Sequence, residues 1–154
     1  RTGSNMTAET TLRLAQIDNI IAIKEASSNR GQILEIIEGR PDGFLVLSGN
    51  DDETFPLMKA GADGVISVAS NIAPEPVAKL THAMMEGKVE KAAGLHEMLS
   101  PLFRNCFVES NPIPAKAALA AMGMMCNELR LPLVASQQKT YDLMVETIKD
   151  LKLL

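Results

Sequence analysis

Lys24 closes an apolar run. In "IIAIKEAS", residues 20–27, a primary amine follows Ile20, Ile21, Ala22 and Ile23, and Glu25 and small polar residues come directly after it. Such a run is suited to burial, and desolvating an ammonium is expensive, so a lysine at its end needs an outlet to water or a chemical reason to stay. The outlet is snorkelling from the strand end into solvent. The chemical reason is nucleophilic: partial desolvation disfavours the ammonium, and the neutral amine can condense with a ketone to form a Schiff base.

The other reactive side chains form no comparable arrangement. Asn50, Asp51 and Asp52 are adjacent at a predicted helix start, where such residues are expected to cap the helix rather than hold a metal. His82 and His96 fall on predicted helices without paired ligands, so surface or interface roles are expected for them. Cys106 and Cys126 lack C-x-x-C spacing and are read as buried thiols in a reducing, cytoplasmic protein. No metal site is expected. Met122, Met124 and Met125 are expected to fill a helix-packing surface.

The elements that must position Lys24 alternate between two periodicities. "TAETTLRLAQI" (7–17) has helical spacing with Thr7 as N-cap, and "NIIAIKE" (19–25) is β-branched and apolar, a short buried strand. Residues 29–38 return to helical spacing and close at Gly39 and Pro41. "GFLVLSG" (43–49) reads as a strand, "DDETFPLMKAG" (51–61) as a helix, "DGVISVAS" (63–70) as a strand and "APEPVAKLTHAMMEGK" (73–88) as a helix. Three strand-then-helix units imply a parallel sheet with crossover helices. From residue 89 onward only helical segments follow, including "VEKAAGLHEMLSPLFRNC", "PAKAALAAMGMM" and "SQQKTYDLMVETIKDLKLL".

Three parallel strands leave two open edges and an incompletely covered sheet. A complete eightfold barrel takes about 250 residues, so the expected fold is α/β: residues 1–88 as the second half of a TIM (β/α)8 barrel and residues 89–154 as a C-terminal helical domain. The opening at Arg1, in mid-loop and without methionine, fits a fragment or one part of a split protein. Strand alternation puts Ile20, Ala22 and Lys24 on one face and Ile21 and Ile23 on the other. With the two isoleucines against the helices, Lys24 points into the barrel near its C-terminal mouth, where barrel enzymes keep their chemistry.

In this order, "IIAIKEAS", "LVLSGNDD", "AGADGVISVASN" and "FVESNPIPAK" resemble the dihydrodipicolinate synthase family, within the pyruvate-dependent class I aldolases that also contain N-acetylneuraminate lyase. The resemblance runs over essentially the whole chain. It implies condensation of pyruvate with L-aspartate 4-semialdehyde to 4-hydroxy-tetrahydrodipicolinate in lysine (diaminopimelate) biosynthesis. Lys24 is then the Schiff-base residue, and the covalent pyruvate imine on it takes the place of any cofactor. Gly49 matches the position whose backbone carbonyl faces the substrate, and Ile66 a residue lining the pyruvate pocket. Arg1, 23 residues before Lys24, stands at the family's spacing for an arginine that meets the second substrate's carboxylate. Read without the family, these three are a turn glycine, barrel core and an exposed terminal arginine. "FVESNPIPAK", with Asn111, matches a signature joining barrel to helical appendage and favours the synthase over its relatives.

The resemblance also implies what lies elsewhere. The family's catalytic tyrosines, the paired threonines for the pyruvate carboxylate and the lysine feedback site belong to the first half of the barrel; Tyr141, the one tyrosine here, falls in the last helix. The expected partners are therefore the N-terminal half of the same enzyme and further copies in a homotetramer. With 15 basic and 19 acidic residues and a formal net charge of -4, no nucleic-acid or membrane surface is expected, and no apolar stretch approaches the ~20 residues of a membrane span. Two other readings stay open: a related aldolase with a sugar acceptor, and a catalytically silent half-barrel serving as an assembly subunit.

Overall fold

Thr7 opens the first helix as its spacing predicts: the hydroxyl accepts from Thr10 N–H at 3.3 Å, and α1 runs Ala8–Leu14. The computed structural model describes residues 3–154. It divides into two units, one ending at Ile66 and the other running Ser67–Leu154.

In the first unit, β1 (Ala22–Glu25), β2 (Leu45–Ser48) and β3 (Gly64–Val65) form a parallel sheet in the order β1-β2-β3. Two crossover helices, α2 (Arg30–Gly39) and α3 (Thr54–Lys59), connect the strands. Asn29 caps α2 by accepting from Gln32 N–H at 3.2 Å. Gly43, at φ +83°, makes the turn into β2 that a side chain would strain. On one face of the sheet Ile23 and Val46 lie in register and join a core with Ala8, Ala15, Ile36 and Phe44.

An ion pair ties this sheet to its loops. Asp63 pairs with Arg40, accepts from Val46 N–H at 2.8 Å and returns its own N–H to the Val46 carbonyl at 2.9 Å. Arg40 also donates to the Gly61 carbonyl at 3.0 Å.

Several expectations need correction. Ile21 is 66% exposed, whereas Ile20 packs on the helix-side core. The strand begins only at Ala22, so two-residue alternation does not extend back through Ile20 and Ile21. The acids after β2 do not cap a helix with their side chains: residues 51–53 form a 3-10 turn, and Asp51 is buried. The Asn50 carbonyl is held instead, accepting from Ser48 Oγ at 2.7 Å and Thr54 Oγ1 at 3.0 Å. The third strand stops at Val65 rather than Ser70, because residues 69–71 turn in a 3-10 helix stitched by Ser70 N–H to Ser67 Oγ at 2.8 Å.

The second unit holds α4 (Pro74–Met85), α5 (Val89–Asn105), α6 (Ile113–Ala121) and α7 (Gln138–Asp150). Here α4 packs on α5, and α7 on both α5 and α6. Leu80, Leu99, Leu102, Met144 and Ile148 are fully buried, and Asn105 Nδ2 donates to Thr147 Oγ1 at 2.8 Å. "FVESNPIPAK" joins α5 to α6 inside this unit, not one unit to the other. His82 is exposed; His96 is half-buried with its ring 5.9 Å from Phe103. Cys106 is buried as expected, but Cys126 is exposed, as are Met124 and Met125. The helix expected to carry them ends at Ala121, and Gly123 at φ +72° turns the chain off its face.

Candidate active site

The register sets which side chains meet. Lys24 pairs with Leu47, and Leu47 with Gly64, so these three form one row across the sheet. That row faces away from the Ile23–Val46 core. Gly64 contributes no side chain, and the face in front of Lys24 stays open.

Lys24 leans forward along the sheet. An ideal Cβ on Gly49 would stand 2.9 Å from Lys24 Cε, so the lysine stem runs over Gly49, one residue past the end of β2. The amine is thus directed to the C-terminal ends of the strands. Gly49 N–H donates to the Glu25 carbonyl at 2.7 Å, which prolongs the β1–β2 ladder beyond the last paired residues. Glycine is required at position 49 by the protein's own atoms: Ala26 Cβ would lie 2.6 Å from an added methyl.

Ile66 extends β3 in the same way, its N–H donating to the Ser48 carbonyl at 2.8 Å. Two residues past Gly64, it shares the face of Lys24 by alternation and is 46% exposed there. β2 lies between them, and Ile66 stands two residues further along the sheet than the Lys24 row. Lys24, Gly49 and Ile66 therefore gather on one side of one sheet. Arg1 lies outside the described residues.

The expected desolvation of the amine is not supplied here: Lys24 is exposed, since the helix-side core packs on the other face of the sheet. The sequence pattern alone assigned no role to Glu25, a carboxylate 95% removed from solvent directly after the lysine. Its signal was present in "IKEAS", where alternation sends the glutamate to the helix side. Among the described residues no group of three or more His, Cys, Asp or Glu could hold a metal, and no helix is long and apolar enough to cross a membrane.

An amine on an open sheet face at the C-terminal strand ends, beside a glycine that leaves it room, can add to a small carbonyl compound. Comparisons with known proteins bear on which family built it. The model of the dihydrodipicolinate synthetase family matches residues 1–151. A 4-hydroxy-tetrahydrodipicolinate synthase of Archaeoglobus fulgidus is 47% identical over 154 residues, covering 100% of this chain and 53% of that protein. One of Chlorobium phaeobacteroides is 49% identical, covering 99% and 52%. The solved dihydrodipicolinate synthase of Thermotoga maritima superposes with a TM-score of 0.97 at 46% identity, covering 100% of this chain and 54% of that one. A structure described as the first monomeric dihydrodipicolinate synthase variant gives 0.96, also at 46% identity. The chain spans about half the length of these relatives, and its α/β architecture is that of the second half of a (β/α)8 barrel followed by helices. A family model matched over nearly every residue, with the parallel strands and Lys24 in the arrangement just described, makes this chain a member of the dihydrodipicolinate synthetase family.

Proposed function

We propose that this chain carries the Schiff-base half of an enzyme that condenses pyruvate with L-aspartate 4-semialdehyde to 4-hydroxy-tetrahydrodipicolinate, a step toward diaminopimelate and lysine. The observation that carries the reading is Lys24: its stem passes over Gly49 to the C-terminal ends of the parallel strands, in a chain 47% identical to a synthase of that name.

The chemistry follows from the amine. The neutral Lys24 Nζ adds to the ketone carbon of pyruvate, the carbinolamine loses water, and a protonated imine remains. That cation withdraws electrons from the methyl carbon. A methyl proton is then lost and an enamine forms, whose carbon attacks the aldehyde of the second substrate. The α-amino group of the condensed semialdehyde then attacks the imine carbon, closing the ring and expelling the Lys24 amine, so no separate cofactor enters. The Gly49 carbonyl faces the bound pyruvate, Ile66 lines its apolar side, and Arg1 meets the carboxylate of the semialdehyde.

In this reading residues 1–88 are the barrel half and residues 89–154 form the helical domain. The first half of the barrel is the partner that covers Lys24 and contributes the groups moving protons. The assembled enzyme is a cytoplasmic homotetramer, and the chain by itself is inactive. The open face and the exposure of Lys24 support that last point.

The deciding experiment is reductive trapping. The chain, assembled with the first half of the barrel, is incubated with pyruvate and borohydride, digested and mapped by mass spectrometry. A reduced adduct on Lys24 is expected, and Lys24→Arg should fold but lose the adduct and nearly all turnover. An adduct on another lysine, or an active assembly with none, would remove the assignment.

A further inference from the structure

Glu25 is a buried acidic side chain, and nothing in the reaction uses it. Burying a carboxylate is costly unless its oxygens are hydrogen-bonded, and here both are. Oε1 accepts from Ser27 N–H at 2.7 Å and Oε2 from Gln32 Nε2 at 2.9 Å. Among the described residues these partners are an amide and a carboxamide, not a cation. An apolar side chain would fill this helix-side position at lower cost, so the carboxylate calls for another explanation.

Its bonds reach every segment around Lys24. Through Ser27 it fixes the turn leaving β1, where Ser28 adopts φ +56°. Through Gln32 it reaches α2 and the segment before α1, because Gln32 also donates to the Met6 carbonyl at 3.2 Å and accepts from Asn5 Nδ2 at 2.8 Å. Through its main-chain carbonyl it holds Gly49 N–H at 2.7 Å, and Gly49 lies under the Lys24 stem. A displacement of Glu25 therefore shifts the surface on which Lys24 rests.

We propose that Glu25 is a positioning residue for Lys24: anchored on the helix side by Ser27 and Gln32, it sets the spacing of Gly49 and so the direction in which the amine is presented. The catalytic meaning of that direction rests on the function proposed above; the geometry itself does not.

Two readouts separate the claims. In the chain itself, nuclear Overhauser effects between Lys24 side-chain protons and Gly49 report the placement. In the assembly with the first barrel half, the rate of borohydride trapping with pyruvate reports its use. Glu25→Gln places an NH2 against one of the two donors, and the Overhauser effects between Lys24 and Gly49 should weaken. Trapping per folded molecule should slow by roughly 10- to 100-fold, the scale expected of a displacement near 1 Å. Pyruvate KM should change less than kcat. Gln32→Ala, on the half-buried helix surface, removes the donor to Oε2 together with the bonds to Asn5 and Met6, leaves Ser27 N–H on Oε1 and should produce a change of the same kind; it carries the test if Glu25→Gln does not fold. Overhauser effects to Gly49 of unchanged intensity in the folded variants overturn the proposal whatever the trapping yields. If they weaken while the unsubstituted assembly never traps pyruvate on Lys24, the Schiff-base reading falls and the positioning role stands.

Discussion

Gly49 and Lys24 share one space. A Cβ on the glycine would fall 2.9 Å from Lys24 Cε and 2.6 Å from Ala26 Cβ, distances that atoms do not adopt without something moving. Its backbone φ is not positive, so the glycine serves the approach of its neighbours rather than an unusual turn. Gly49→Ala should therefore destabilise the fold by about 1–3 kcal/mol, as overpacking does. The lysine stem can swing aside and relieve its own contact, but the Ala26 methyl cannot, so the remaining strain should fall on the backbone at the ends of β1 and β2. Denaturant melts of the chain and trapping in the assembly measure the two effects; a variant with unchanged midpoint and unchanged trapping would separate the two residues.

Asp63 makes a second falsifiable point about what holds the sheet. Its carboxylate satisfies Val46 N–H and the Arg40 guanidinium together, at a place where Asp63 is 30% and Arg40 20% exposed. Asp63→Ala leaves an amide at the start of β2 and a cation without their partner, and should lower stability by about 2 kcal/mol. Asp63→Asn keeps an acceptor for Val46 N–H and should recover part of that loss. Urea midpoints with unchanged m-values would check both; equal losses in the two variants would assign the whole effect to the ion pair.

How much of this was legible beforehand depended on how far each local pattern extended. The order of strands and helices followed from switches between two-residue and 3.6-residue periodicity, and the expected cap Thr7 stands where its side chain meets an N–H; the cap at Asn29 was not anticipated. Lys24 was visible because a charge ends an apolar run. Ile20 and Ile21 were exchanged because a four-residue strand is too short to impose its alternation on the residues before it. Met124, Met125 and Cys126 were misplaced because apolar composition continues past Ala121 while the helix does not. The dependence of Gly49 on Ala26, and of Glu25 on Gln32, joins separate segments, and no local spacing encodes it.

On the helical unit, Glu75 offers a pH-dependent check. It lies in the first turn of α4 and pairs with Lys79 at 2.6 Å, one helical turn on. The hydrogen bond from Lys79, then its charge, holds the Glu75 carboxyl below its ordinary value of 4.5. A carboxyl so depressed adds stability that is present above the ordinary value and disappears as pH falls through the folded one. Glu75→Gln should then lower Tm slightly at pH 7, with a difference that shrinks as pH falls below 4.5 and the carboxyl is protonated. Both groups are exposed, so added salt should erase the difference at pH 7 as well. A Tm difference independent of pH would point to helix propensity or packing instead.

Under the function proposed above, the choice of acceptor turns on Arg1. A short semialdehyde carries a carboxylate close to its reacting carbon, and such a substrate needs a cation at the barrel mouth. A guanidinium fork fits it bidentately, a pairing worth about 2 kcal/mol, or roughly 30-fold in kcat/KM. A long polyhydroxylated sugar would need several polar groups along the strand-end loops instead. In those loops Asn50 Nδ2 is already engaged by Glu53 at 2.6 Å and Ser28 at 3.1 Å, and Asn29 is engaged in capping α2. In the assembled enzyme, Arg1→Ala should raise the KM for aspartate semialdehyde or lower turnover by that factor, while trapping of pyruvate on Lys24 stays nearly intact. Arg1→Lys should restore charge but not the fork, and recover only part of the loss. Steady-state kinetics with both substrates, alongside trapping, measure this directly. Equal loss of imine formation and condensation would mean that Arg1 supports the fold, and efficient cleavage of N-acetylneuraminate would move the chain to the lyase branch of the family.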